Sequence, residues 1–460
     1  MSSEDAILER PFHFIVVLWG ERFRNYFLEY CLPSLLSPGN IPALSTRTPG
    51  KFLIATRPED WAAITVTPIF RLMERHIAPV YVELPPCPPG RAGCVHMGVG
   101  HILCSDISFR EKAYAVIMMP DSMLSDGTVA RLQPLVAAGA EVVLTAALRF
   151  GEKPFFDELE TSGALPTESR RDSGMPLTIS GRQMVHAAVH GFHTETLHYE
   201  WDSACFPPFT PSVPAAAWWR VPGEDGIVLH SLIWMPLVVD YGSLEKHDTS
   251  AFENWTIDGD YVSKNFHKLE TIYVVTDSDE AFIGSWGPPG PLPLGFNVRS
   301  LFGAVGKGAM FRSAFYSGVF DAIRRRAFFP TVHWHAHEIN ARWLPVERCS
   351  MRTILTYLRP PGDLAILGSA VRVPRPASPD ALGDWRSALL HLPLWTPWVA
   401  TLWLLAAVEY IRRRSATLLR RGRLVLKGDP LALNWAGWRL RKTVAAFFHR
   451  EFHEPRPDLP

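Results

Sequence analysis

What the chain lacks narrows it first. Lys+Arg and Asp+Glu both number 46, so there is no net charge. No field of one sign argues for nucleic acid as a partner. Six cysteines, at 31, 87, 94, 104, 205 and 349, are spread over 460 residues, which is no disulfide framework. The opening MSSEDAILERPF places acids first and holds no apolar segment. No secretory signal is read there, and a reduced cytoplasmic setting is the default expectation. A Walker A loop, a G-x-G-x-x-G after a strand and a G-x-S-x-G elbow are all missing. Their absence counts against the usual ATPase, dehydrogenase and α/β-hydrolase sites.

What is there describes a folded protein, with 47% hydrophobic and 20% charged residues. Length allows two or three domains. Apolar runs at Phe12–Leu18, Lys51–Ala55, Ala78–Leu84, Tyr114–Met119 and Glu141–Ala146 are short enough for buried strands. Helical spacing separates them, as in Phe23, Phe27, Tyr30, Cys31 and Leu35. That alternation predicts an α/β fold with a Rossmann-like, mostly parallel sheet flanked by helices. Beyond residue 150 come a helical insertion, a long buried strand over Gly226–Val239, and another over Thr271–Thr276. We expect three regions: 1–150, 151–371 and 372–460.

Acids follow two of these strands. Tyr114–Met119 runs into Asp121, with Asp126 next; Thr271–Thr276 runs into Asp277, Asp279 and Glu280. The carboxyl edge of such a sheet is where ligands bind. Asp277-Ser278-Asp279 lets two carboxylates reach one divalent ion, Mg²⁺ or Mn²⁺, and a solvated acidic turn is the bland alternative. Asp258-Gly259-Asp260 repeats the pattern, with a tight turn as likely. His333, His335 and His337 alternate, so a strand there puts all three imidazoles on one face. One of them, His335, can complete the Asp277–Asp279 set. Cys87, Cys94, His96, His101 and Cys104 match no zinc-knuckle spacing, and the glycines among them suggest a mobile loop.

The last quarter differs. Ala388–Val408 carries no Asp, Glu, Lys or Arg, and eleven basic residues from Arg412 to Arg450 follow against Asp429 alone. Pro393 and Pro397 interrupt the apolar run. An interfacial anchor and a basic segment on anionic lipid fit best.

The first third resembles a GT-A-type, family 2-like bacterial glycosyltransferase, through the strand ends LWG, ATRPED and PDSMLSDG. The resemblance implies a nucleotide-sugar donor near Trp19, Gly20, Glu21, Thr56 and Arg57. It places Asp121 at the usual metal position, although the motif here is D-S-M and the clean D-x-D comes late. It also implies that the leaving diphosphate is neutralised by Mg²⁺ or Mn²⁺ or by basic side chains. An inverting enzyme also needs a carboxylate base, with Asp258, Asp260 and Glu280 as candidates. The basic tail suits a lipid-linked or envelope glycan acceptor and a peripheral or monotopic place at the inner membrane. Two other readings stay open. One is a metal-dependent hydrolase built on His333, His335 and His337; the other is a non-catalytic membrane-associated scaffold. If the tail does bind lipid, the full-length protein will co-sediment with anionic vesicles and be released as salt rises. Equal recovery with neutral and anionic vesicles would remove the membrane from the reading.

Overall fold

The structure, a computed structural model, describes residues 7–165, 174–203, 216–253, 257, 260–288, 290, 315 and 321–358. Asp258 and the whole of 372–460, with the apolar and basic segments, lie outside the described residues. Among those described, no helix is long and apolar enough to cross a membrane.

Thirteen strands are described: β1 Phe12–Val17, β2 Lys51–Thr56, β3 Ala78–Glu83, β4 Tyr114–Met118, β5 Ser122–Leu124, β6 Val142–Ala146, β7 Arg149–Gly151, β8 Ala216–Arg220, β9 Gly226–Ser231, β10 Trp234–Asp240, β11 Ile272–Val274, β12 Ile283–Gly287 and β13 Val332–His335. Seven form the central sheet, in the order β11-β6-β10-β4-β1-β2-β3. Six of these run parallel, and β10 runs against both of its neighbours. Because β10 and β11 complete the sheet, it draws on both sides of residue 150.

The continuous apolar runs have a simple cause. Side chains alternate across a strand, and both faces of this sheet are covered. Ile15 and Val17 enter one core with Leu53, Ala55, Ala115 and Ile117. Phe12, Phe14 and Val16 enter the other with Phe52, Ile54 and Val116. The first core is covered in part by the helix Gly93–Arg110. There the expected mobile loop is corrected in part: Gly93, Gly98 and Gly100 belong to the helix, and Gly90 lies in the turn before it. Gly100 faces the sheet so closely that a Cβ would stand 2.5 Å from Val17 Cγ1.

A second correction concerns Gly226–Val239, which is two strands in different sheets. Ser231 Oγ donates to the Ile233 carbonyl at 2.7 Å and accepts from its N–H at 3.1 Å. This local turn diverts the chain from β9 into β10. Two smaller sheets flank the large one: β5-β12-β7, and β13-β9-β8. An expected consequence of the tight helix–sheet contact is that Gly100→Ala costs about 1–3 kcal/mol by overpacking. Urea unfolding checks it, and an unchanged midpoint would contradict the close approach.

Candidate active site

The parallel strands send their carboxyl ends to one edge. β1 leads to Trp19 and Gly20, β2 ends at Thr56 and leads to Arg57, β4 leads to Asp121, and β11 leads to Asp277. These residues sort into three places along that edge.

The first lies at β1, β2 and β3. Gly20 turns with φ +81°, and its N–H donates to Asp60 Oδ2 at 2.9 Å. Arg24 Nη1 holds the other oxygen of Asp60 at 2.8 Å. The buried Asp60 thereby fixes the loop that carries Trp19, Gly20 and Glu21. Trp19 meets the His96 ring edge-on, with centroids 5.2 Å apart. His96 is 1% exposed and Thr56 fully buried. His96 Nε2 lies 2.9 Å from the Pro85 carbonyl, which can only accept. The ring proton therefore sits on Nε2, and Nδ1 offers a lone pair. Burial holds the ring's pKa below the ordinary histidine value, so it is neutral near pH 7. His96 Nδ1, Thr56 Oγ1 and Arg57 Nε are buried with no hydrogen-bond partner among the described residues. Each such group costs about 1–3 kcal/mol when left unpaired. Thr56 and Arg57 stand at the end of β2, and His96 reaches the chain just beyond β3 through the Pro85 carbonyl.

The second place centres on Asp121. Arg149 Nη2 lies 3.4 Å from its Oδ2, and the charge of Arg22 is also felt there. Burial raises the Asp121 pKa above the usual carboxylate value, against the pull of Arg149. Arg22 in turn bonds Glu152 at 3.0 Å and Tyr26 at 2.8 Å. Asp126, the next acid in the motif, is engaged elsewhere: its Oδ1 accepts from Gly39 N–H at 2.7 Å.

The third place is the late acid pair. After β11 the chain pairs with β13: His333 N–H donates to the Thr276 carbonyl at 2.8 Å, and Ser278 N–H to the His333 carbonyl at 3.0 Å. This bridge brings His335 to the acids. His335 Nε2 lies 2.8 Å from Asp277 Oδ1 and 4.0 Å from Asp279 Oδ2. The three residues each offer a ligand atom within 4.8 Å of the others. His335 Nδ1 sits 2.8 Å from the His337 carbonyl and so carries a proton. In the neutral ring Nε2 would then turn a lone pair toward a carboxylate. Two acceptors at that distance need a proton or a cation between them. The donor set fits such an ion: carboxylates suit Mg²⁺ or Mn²⁺, and the imidazole favours Mn²⁺ or zinc over Mg²⁺. Arg182 competes for Asp279, with contacts of 2.6–3.1 Å. Gly181 meets the same loop closely, its Cβ position 2.5 Å from the Ser278 carbonyl oxygen.

Several expected partners are elsewhere. His333 faces Glu347, at 2.9 Å. His337 is exposed beyond the strand and lies 3.9 Å from Asp225. The single three-histidine face is therefore corrected; the strand ends at His335. Asp260 is exposed and paired with Lys264. The helix it begins, Tyr261–Asn265, joins Tyr241 at the other edge of the sheet, because β10 runs backwards and ends beside Tyr114. Asp260 is thus away from the carboxyl edge. Glu280 accepts from Tyr273, and burial raises its pKa. Asp121 and Asp277 follow strands three places apart, about 14 Å at the usual spacing, so one ion cannot join them. Sequence reasoning weighed His96 only as a zinc ligand and overlooked Arg22 and Arg149 as site residues. His96 had a signal only once its segment was known to be helical.

No protein-family model and no curated protein matches the chain. Among solved structures it is similar to one from Bacillus anthracis described as a glucose-1-phosphate thymidylyltransferase in complex with sucrose. That likeness has 14% identity and TM-score 0.19, over 31% of this chain and 57% of the other. A second is mouse xyloside xylosyltransferase 1, apo form, at 8% identity and TM-score 0.21, over 33% of this chain and 59% of that one. The chain thus matches little more than half the length of either. Likeness of that extent does not say what this chain does.

The Asp277–His335 pair has a signed consequence. Burial opposes the His335 charge, but the bond to Asp277 prevails and raises its pKa above 6.5. Burial likewise opposes the Asp277 charge, yet His335 lowers its pKa below 3.8. The histidine contribution is full below 6.5 and lost as pH rises through the raised value. The aspartate contribution is present above 3.8 and lost as pH falls through the lowered one. Metal-free protein should therefore lose stability, relative to Asp277→Asn, as pH rises past the histidine range. Parallel melting curves for the two proteins across pH 5–9 would contradict the pair.

Proposed function

We propose that the chain is a transferase of the GT-A kind, a glycosyltransferase using a nucleotide-sugar donor. The observation that carries this is the group of three unpartnered buried polar atoms on Thr56, Arg57 and His96 beside Trp19. Arg57 Nε offers a donor, His96 Nδ1 an acceptor and Thr56 a hydroxyl, which suits the ribose and base of a nucleotide. Trp19, Gly20 and Glu21 border it in the loop that follows the neighbouring strand β1. Toward β4, Arg22 and Arg149 supply positive charge for a diphosphate, and bidentate Arg contacts are strong ones. Asp121 stands beside them with a raised pKa, as a base for an acceptor hydroxyl requires.

Asp277, Asp279 and His335 form the proposed site for Mg²⁺ or Mn²⁺. When bound there the ion supplies positive charge on the far side of the edge. His335 is oriented for it by the His337 carbonyl, and Asp277 by the N–H of Asp279 at 2.8 Å. The acceptor is proposed as a lipid-linked or envelope glycan, with the protein on the cytoplasmic face of the inner membrane.

The test is a thermal-shift series with nucleotides and nucleotide sugars, with and without Mn²⁺. At about 100 times Kd a ligand adds roughly 2.7 kcal/mol. One base series should shift the protein. His96→Ala should weaken that binding roughly tenfold, as for one lost hydrogen bond, and Asp277→Asn should remove only the manganese-dependent part. No nucleotide shift on folded protein, with tight transition-metal binding instead, would favour the metal-dependent hydrolase.

A further inference from the structure

A second group of metal-binding side chains lies outside this edge. On the helix Gly181–His190, His186 and His190 are one turn apart and share a face; their rings are 4.8 Å apart. The helix Glu152–Thr161 brings Glu158 against them, with Oε2 3.9 Å from His186 Nε2. Asp225, in the turn between β8 and β9, approaches both imidazoles. Glu158, His186 and His190 each present a ligand atom within 4.8 Å of the others.

The ring nitrogens are sorted for a cation. His186 Nδ1 lies 2.9 Å from Asp225 Oδ2, and His190 Nδ1 lies 2.9 Å from the His186 carbonyl. Both acceptors draw the ring proton to Nδ1, which leaves a lone pair on each Nε2; these face carboxylate oxygens, Glu158 Oε2 at 3.9 Å from His186 and Asp225 Oδ1 at 3.5 Å from His190, and such acceptor pairs are held together by a cation. This carboxylate–histidine arrangement recurs at metal centres, where it fixes the tautomer and makes the ligand more basic. Donors on a tetrahedral zinc at about 2.1 Å stand roughly 3.4 Å apart. The half-exposed side chains need only small rotations to close to that spacing.

We propose that Glu158, His186 and His190 form a transition-metal site, oriented by Asp225, whose best-fitting ion is Zn²⁺. Two imidazoles and one carboxylate suit zinc and disfavour Mg²⁺ or Ca²⁺. The ion ties two helices to the β8–β9 turn. The same helix face carries Arg182, one turn before His186, which grips Asp279. The site shares no residue with the Asp277 set and does not rest on the transferase reading.

The experiment is calorimetric titration of metal-free, full-length protein with ZnCl₂, checked by the visible spectrum of Co²⁺ in its place. The wild type should bind one equivalent more than His190→Ala or Glu158→Gln, and Asp225→Asn should weaken that equivalent by about 10–100-fold. Asp277→Asn/Asp279→Asn should retain it. Circular dichroism establishes that each variant is folded; the half-exposed Glu158 keeps the test decisive if His190→Ala is not. Equal zinc stoichiometry in wild type, His190→Ala and Glu158→Gln would overturn the proposal. So would loss of all bound zinc in the Asp277/Asp279 variant.

Discussion

A sheet buried on both faces has nowhere to put polar chemistry except its edges. The central sheet is of that kind, with β1, β2, β4 and β6 packed between two apolar cores. Parallel pairing then gathers six carboxyl ends on one side. The residues just beyond them, Trp19, Arg57, Asp121 and Asp277, meet one surface although 258 positions separate the first from the last. Everything proposed for the active site follows from that geometry. The price is that backbone and side chains at the edge leave the sheet's hydrogen bonding and must find new partners. Asp60 does this for Gly20 and Arg24; Thr56 Oγ1, Arg57 Nε and His96 Nδ1 find none among the described residues.

The three places on the edge use different electrostatics. At β2 and β3 the groups are neutral or donors, and burial keeps His96 uncharged. At β4 the carboxyl of Asp121 is disfavoured as an ion, and arginines offset this. At β11 an imidazole and a carboxylate hold each other's charge. The proposed function assigns a polar nucleoside, an anionic diphosphate and a cation to them respectively.

The strands were legible in the sequence because apolar runs bounded by turn residues report burial directly. Tyr114–Met118 and Lys51–Thr56 stand where the pattern put them. Asp277, Asp279 and His335 were nominated together because D-x-D and alternating histidines are local patterns. That they meet depends on the pairing of His333 with Thr276 and Ser278, which no local pattern encodes. The reversal at Ser231 was hidden because both strands it joins are apolar, so the run looked continuous. Asp260 was misleading for a related reason: its D-G-D resembles the working motif, but β10 carries the following chain to the opposite edge. His96 looked like part of a glycine-rich loop, since helix propensity alone disfavours glycine and only packing against Val17 explains it.

The turn at Ser231 leaves two residues, Leu232 and Ile233, between the outer sheet and the central one. That connection has no slack. A second tether, the pairing of β13 with the chain after β11, lies on the same outer sheet. A body held at two points by such short links cannot swing as a lid. Exchange of bound molecules at this edge must then fall to the loops that surround it, and the outer sheet serves as a fixed wall.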